Sequence, residues 1–298
     1  MNQSKYLIFL KLARPANLVT AVSDILAGIA ISGILLTTAL DWELSKAILL
    51  LSLSTIGLYG GGIVFNDVFD IKVDRIERPE RPLPRGLISL QSATIYGILL
   101  LALGVIFAFL VNQTAGIIAI LTSISALVYD KWGKNNTWLG PPNMGLCRGF
   151  NLLLGVSILP EMVFELWYLA FIPIIYISAI TMISRGEVSG SSKTPLQVAA
   201  FLYALVISMI VTFSYFKSTL LTAIIFLLLF AYFIFKPLRK AIVDPSALFI
   251  RTSVKAGVIA LILMNASWAA AAGSFPLALI ITALLPFSMW LSKHFSVT

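Results

Sequence analysis

Apolar runs long enough to cross a hydrocarbon core of about 30 Å recur along nearly the whole chain. Ten are candidate transmembrane spans: 17–39, 47–68, 90–111, 115–130, 143–160, 166–184, 196–216, 219–236, 247–272 and 276–292, of which the fourth and fifth are the shortest. Of the 298 residues 59% are hydrophobic and 11% charged, against roughly 25% charged in soluble domains. No separate soluble domain has room between the spans. The expectation is one all-α membrane domain over residues 1–298, a polytopic bundle of nine or ten helices, with residues 274–298 as its additional C-terminal helix.

Loop charges orient the bundle. With the N-terminus inside, seventeen of the 21 Lys and Arg residues fall in or at the edges of inner segments, against Lys46 and Lys217 outside. Both termini are therefore expected on the cytoplasmic side of the cell (inner) membrane. The formal net charge of +8 is thus mostly topology. Because its residues are scattered over membrane-flanking segments, membrane lipids or an anionic substrate fit better than nucleic acid, which is not expected as a partner. Cys147 and His294 are each the only residue of their kind, which excludes an intrachain disulfide and a Cys-based metal site and argues against His-cluster and Ser-His-Asp chemistry. The N-terminal segment lacks a signal-peptide cleavage pattern, and its first apolar run is expected to be retained as a span.

Charge concentrates in residues 66–86, NDVFDIKVDRIERPERPLPRG. Asn66, Asp70 and Asp74 stand at i, i+4 and i+8, so a helix continuing out of the second span carries them as one stripe, with Asp67 about 100° away. Oxygen ligands at the mouth of a bundle suit Mg²⁺, which takes one or two carboxylates and completes its shell with water and phosphate oxygens. Arg78, Arg81 and Arg85 follow, whose forked guanidiniums bind phosphate. Pro79, Pro82 and Pro84 are expected to keep this loop extended and stiff. An ordinary solvated loop with Asp–Arg pairs at a helix end is the alternative.

Further polar residues sit at other inner boundaries: Arg14 and Asn17 before the first span, and Tyr129, Asp130, Lys131 and Lys134 after the fourth, where snorkelling anchors compete with ligands as the reading. Arg148 and Asn151 lie inside the fifth span at i, i+3, either lining a polar cavity or forming a structural pair with Asp24. Gly57, Gly60, Gly61 and Gly62 precede the stripe, serving close helix packing or leaving room for a long ligand.

These residues resemble the first aspartate-rich motif of the UbiA superfamily of intramembrane prenyltransferases, N-D-x-x-D-x-x-x-D followed by R-P-L-P-x-G. The spacing is most similar to the archaeal-type lipid and quinone enzymes, and the likeness covers about residues 5–270. The resemblance implies a helical bundle around a central, lipid-accessible cavity. It also implies Mg²⁺ holding the diphosphate of an isoprenoid donor, and ionisation to an allylic cation captured by a small-molecule or lipid acceptor. Carried over by position, Asn66, Asp67, Asp70, Asp74 and Glu187 are the expected metal set, and Asp70, Asp74 and Glu187 the catalytic carboxylates. Arg14, Asn17, Arg78, Arg81, Tyr129, Lys131, Lys134, Arg148, Asn151 and Arg185 are the expected substrate-binding residues.

The chain departs from the family's second acidic motif. The corresponding loop, ISRGEVSGSSKTPLQ, keeps Gly190, Thr194 and Pro195 but only one carboxylate, Glu187, and introduces Arg185. Arg185 and Lys193 can replace metal charge with fixed charge. This loop, with GLCRGFNLLLG, is similar to the divergent UbiA-like EboC branch. Transfer of an isoprenoid is therefore weighed against a non-catalytic isoprenoid-diphosphate or lipid carrier with a degraded second motif. Transport is a weaker third reading, since no matching half-repeat is visible.

Overall fold

The computed structural model describes residues 5–294, and the side chains of Lys5, Tyr6 and His294 lie outside the described residues. Its elements are all helical: α1 (Lys5–Leu12), α2 (Pro15–Ser32), α3 (Ile34–Thr37), α4 (Trp42–Phe69), α5 (Ile71–Glu77), α6 (Leu90–Phe109), α7 (Gln113–Lys131), α8 (Gly140–Val156), α9 (Pro160–Leu166), α10 (Phe171–Ser184), α11 (Lys193–Phe216), α12 (Leu220–Val243), α13 (Ala247–Ala271) and α14 (Phe275–His294). Among the described residues nine helical stretches are long and apolar enough to cross a membrane, with α9 and α10 joined into one, Pro160–Ser184. The fifth expected span, α8, has 17 residues, below the roughly 20 that a hydrocarbon core asks for. It is enclosed by α2, α7 and α10, so it is inside the bundle and need not match the lipid thickness by itself. The chain is a multi-pass membrane protein.

Short polar residues start the spans. Asp41, Ser89 and Asn112 accept hydrogen bonds from the backbone N–H groups of Leu44, Ser92 and Ala115, occupying donors that the first helical turn leaves open. Asn112 also donates to the Ser157 carbonyl at 2.7 Å, tying the start of α7 to the end of α8. Outward faces are apolar: Leu99, Ile106, Phe201 and Leu228 are exposed, as expected when the solvent is lipid tails rather than water.

Packing decides what the glycines do. A Cβ on Gly28 would lie 2.3 Å from the Leu152 carbonyl oxygen, so α2 and α8 cross with their backbones in contact. Gly57 and Gly61 do the same for α4 against α6, whereas Gly62 borders an internal cavity. The two readings left open by the sequence are divided between adjacent residues, Gly61 for packing and Gly62 for space.

Candidate active site

A cavity of about 350 Å³ runs inward between α2, α4, α7, α8, α10 and α13. Its polar end is lined by Arg14, Asn17, Asn66, Arg78, Arg81, Tyr129, Asp130 and Glu187, and its walls further in by apolar residues such as Leu58, Ile63, Ile177, Ile180, Val258 and Leu261. Arg148, Tyr59 and Cys147 also line it.

At the polar end α4 breaks at Asp70, whose ψ of 1° separates α4 from α5, although the backbone bonds from Asp70 to Asn66 and from Asp74 to Asp70 persist. The single stripe expected of Asn66, Asp70 and Asp74 is consequently divided among three partners. Asn66 donates through its amide to Asp130 at 2.9 Å. Asp70 accepts from Lys134 at 2.5 Å. Asp74 accepts from Arg81 at 2.7 Å, and the same guanidinium nitrogen reaches Asp67 at 3.1 Å. Asp67 accepts a second bond from Arg14 at 2.6 Å. Arg14 stands at φ 46°, ψ 73°, a left-handed conformation that costs a non-glycine residue roughly 1–3 kcal/mol. That backbone lets the side chain turn from the start of α2 toward α4.

The loop after α5 is not extended. It folds into successive turns, with Arg81 N–H to the Arg78 carbonyl, Arg85 to Arg81 and Leu87 to Pro82. Leu83, 3% exposed, anchors it in a cluster with Ile8, Leu12, Val64 and Ile88. The proline-fixed φ angles serve these turns, and burying Leu83 pins Arg78 and Arg81 at the cavity.

The expected metal set Asn66, Asp67, Asp70, Asp74 and Glu187 is not gathered, and no cluster of three metal-ligating side chains occurs among the described residues. Asp67 and Asp74 are committed to Arg14 and Arg81, and Glu187 is across the cavity on the α10–α11 loop, its backbone carbonyl held by Arg251 at 2.6 Å. Asp130 supplies what the set lacked. It is buried, borders the cavity, bonds to Asn66 and has no ion-pair partner among the described residues. A buried carboxylate without a cation is costly, and here it stands beside the amide of Asn66, with Asp70 nearby. These donors fit a hard cation that takes one or two carboxylates and leaves its remaining positions to water and phosphate. The sequence names Asp130, but no local pattern links it to Asn66, 64 positions earlier.

Other expected residues fall into two groups. Lys134 reaches Asp70, whereas Lys131 is exposed and stacks over Trp132, 4.5 Å from the ring centroid. Arg185 is exposed and donates to the Asn136 carbonyl at 3.0 Å, bracing one loop against another. Burial raises the Glu187 carboxyl above its ordinary value of 4.5, against the opposing charges of Arg78 and Arg251. Arg148 satisfies both of its readings, pairing with Asp24 at 2.8 Å while also lining the cavity. Around that pair, Asn151 donates to Asp24 and accepts from Thr55, and Asn265 donates to Asp24 and Ser23. Tyr59, Thr55, Asn265 and Arg251 were not anticipated, since single polar residues in apolar helices carry no periodic signal.

Known proteins are similar to this chain in sequence and in fold. The chain is 41% identical over 99 residues to the digeranylgeranylglyceryl phosphate synthase of Methanosarcina mazei, a match covering 33% of this chain and 34% of that protein. Across its curated relatives the matched segment spans from about a third to about three fifths of their length. A UbiA homologue from Aeropyrum pernix K1 superposes with a TM-score of 0.68 at 16% identity, covering 84% of this chain and 96% of the other. A UbiA homologue from Archaeoglobus fulgidus, described as bound to GPP and Mg²⁺, gives 0.61 at 17% identity, covering 84% and 99%. Residues 26–241, which contain the divided aspartate motif, Asp130 and Arg148, match the model of the UbiA prenyltransferase family, and to that family the chain belongs.

Proposed function

We propose that this protein is an integral-membrane prenyltransferase that moves an isoprenoid chain from a Mg²⁺-bound diphosphate donor to a small or lipid acceptor. The observation that carries it is a cavity with three arginines and a cation-deficient carboxylate at one end and apolar walls beyond. The diphosphate lies at Arg14, Arg78 and Arg81, and the isoprenoid chain extends along Leu58, Ile63, Ile180 and Val258. Asn66, Asp70 and Asp130 hold the metal, which supplies charge compensation for the departing diphosphate. Asp67 and Asp74 act through the arginines, fixing their forks where negative charge develops. The apolar walls keep water from the allylic cation, and the Tyr129 ring offers it a π-face. Lys and Arg on the flanking segments put both termini in the cytoplasm, and residues 1–298 act as one membrane unit. The GPP and Mg²⁺ bound to the Archaeoglobus fulgidus homologue support the donor class.

The test is label transfer from radiolabelled geranyl, farnesyl and geranylgeranyl diphosphates to a lipid extract in membranes containing wild type or Asp70→Ala. Transfer by wild type that falls at least about tenfold in the variant is expected, from losing one charged ligand. Transfer that survives the substitution sinks the metal assignment, and intact donor binding without transfer in wild type favours the carrier.

A pH dependence follows from Glu187. Its raised pKa means that burial favours the protonated form, and an anionic diphosphate beside it favours that form further. Binding therefore takes up a proton, so donor affinity rises as pH falls and levels off once pH is below the raised pKa of the free protein. In Glu187→Gln this component disappears, flattening the profile relative to wild type. Titrations of geranyl diphosphate between pH 8 and pH 5 check it, and parallel profiles for the two proteins refute it.

A further inference from the structure

The inner part of the cavity holds a polar pair that diphosphate chemistry leaves unused. Tyr59 precedes Asn66 by seven residues on α4, which at 1.5 Å per residue places it about 10 Å further in. Arg148, 4% exposed, donates through Nη1 to Asp24 and through Nη2 to Thr20, each at 2.8 Å. Its guanidinium carbon is 4.4 Å from the centroid of the Tyr59 ring. Arg148 Nε and Tyr59 Oη are both buried and have no hydrogen-bond partner, and both residues line the cavity. A donor left unbonded away from water loses its hydration without return, and polar groups at membrane depth ordinarily serve a cavity or a ligand.

The charge state of the cluster selects what can bind. Arg148 is neutralised by Asp24, whose oxygens are already taken by Arg148, Asn151 and Asn265. A carboxylate or phosphate arriving here would bring net negative charge into a low-dielectric site with no free cation to meet it. A neutral oxygen accepts from the two open donors at no such cost. The isoprenoid part of a donor has no oxygen beyond its diphosphate, which belongs at the other end.

We infer that Arg148 and Tyr59 form a second recognition site, one that takes an uncharged oxygen, carbonyl or hydroxyl, on the acceptor molecule. The role as acceptor site rests on the transferase reading above; the selectivity for neutral oxygen does not.

Tyr59→Phe tests this, because it deletes an atom that bonds to nothing in the protein and keeps the ring beneath Arg148. Tritiated 2-naphthol, 2-naphthoate and naphthalene are bound to the full-length protein in detergent micelles, with geranyl diphosphate and Mg²⁺ in parallel. The ratio of 2-naphthol to naphthalene affinity is expected to fall about five- to tenfold in Tyr59→Phe, with 2-naphthoate the weaker oxygen ligand in wild type. Using the ratio within each protein removes any general loss of fold. An unchanged ratio, or 2-naphthoate binding wild type more tightly than 2-naphthol, overturns the inference. Absent geranyl diphosphate binding in wild type overturns the transferase reading alone, whatever the naphthol ratio.

Discussion

Replacing Asp24 by alanine is expected to cost about 3–5 kcal/mol of folding stability, read as a large fall in the unfolding midpoint in detergent. Asp24, 1% exposed, accepts from Arg148, Asn151 and Asn265, so one carboxylate joins α2 to α8 and α13. Its removal leaves a guanidinium charge buried among apolar helices and takes one of two acceptors from each of the Asn151 and Asn265 amides. The size of the loss is mainly the penalty of the stranded charge rather than the worth of the pair. Hence Asp24→Leu combined with Arg148→Met is expected to recover more than half of the loss, although it removes more native hydrogen bonds. A single variant that melts within experimental error of wild type would show that the cluster does not hold the helices together.

Arg81→Ala is expected to weaken geranyl diphosphate binding about 100-fold, measured by titration calorimetry with Mg²⁺ present. Two causes act in the same direction. The phosphate loses a forked donor, and Asp74, which Arg81 meets at 2.7 Å, becomes an uncompensated negative charge beside the anion's site, while Asp67 keeps Arg14 at 2.6 Å. Adding Asp74→Asn to Arg81→Ala is therefore expected to regain about tenfold, since a neutral amide no longer repels the diphosphate. Lysine at position 81 restores charge but not the full affinity: one guanidinium nitrogen of Arg81 meets both carboxylates and leaves the others for phosphate, whereas a single ammonium has to serve both. An affinity for Arg81→Ala within twofold of wild type would place the diphosphate elsewhere.

The aspartate motif illustrates how far local sequence carries. The spacing of Asn66, Asp70 and Asp74 is that of a helix stripe, and the backbone bonds across Asp70 keep it nearly helical. What each carboxylate does was not legible, because its partner comes from elsewhere in the chain: Arg14 from before α2, Lys134 from after α7. Similarly, the prolines of the Arg78–Arg85 segment limit φ, but whether the segment extends or turns depends on where Leu83 finds apolar neighbours, and those include Ile8 and Leu12 of α1.

Quantities that add up along the chain were readable without a fold. Apolar length, the count of spans and the concentration of charge in one segment are sums over neighbouring residues, and the helical membrane bundle and the kinship carried by the motif follow from them. Pairings are not sums. That Asp67 and Asp74 face arginines, that Asp130 completes the oxygen set with Asn66, and that Arg148, Tyr59 and Asp24 meet inside the bundle depend on helices brought together over separations of up to 124 residues, between Arg148 and Asp24. Those contacts are set by backbone approaches such as Gly28 on Leu152, and only the packed bundle decides them, because a side chain's partner there is a matter of which helices touch and at what depth.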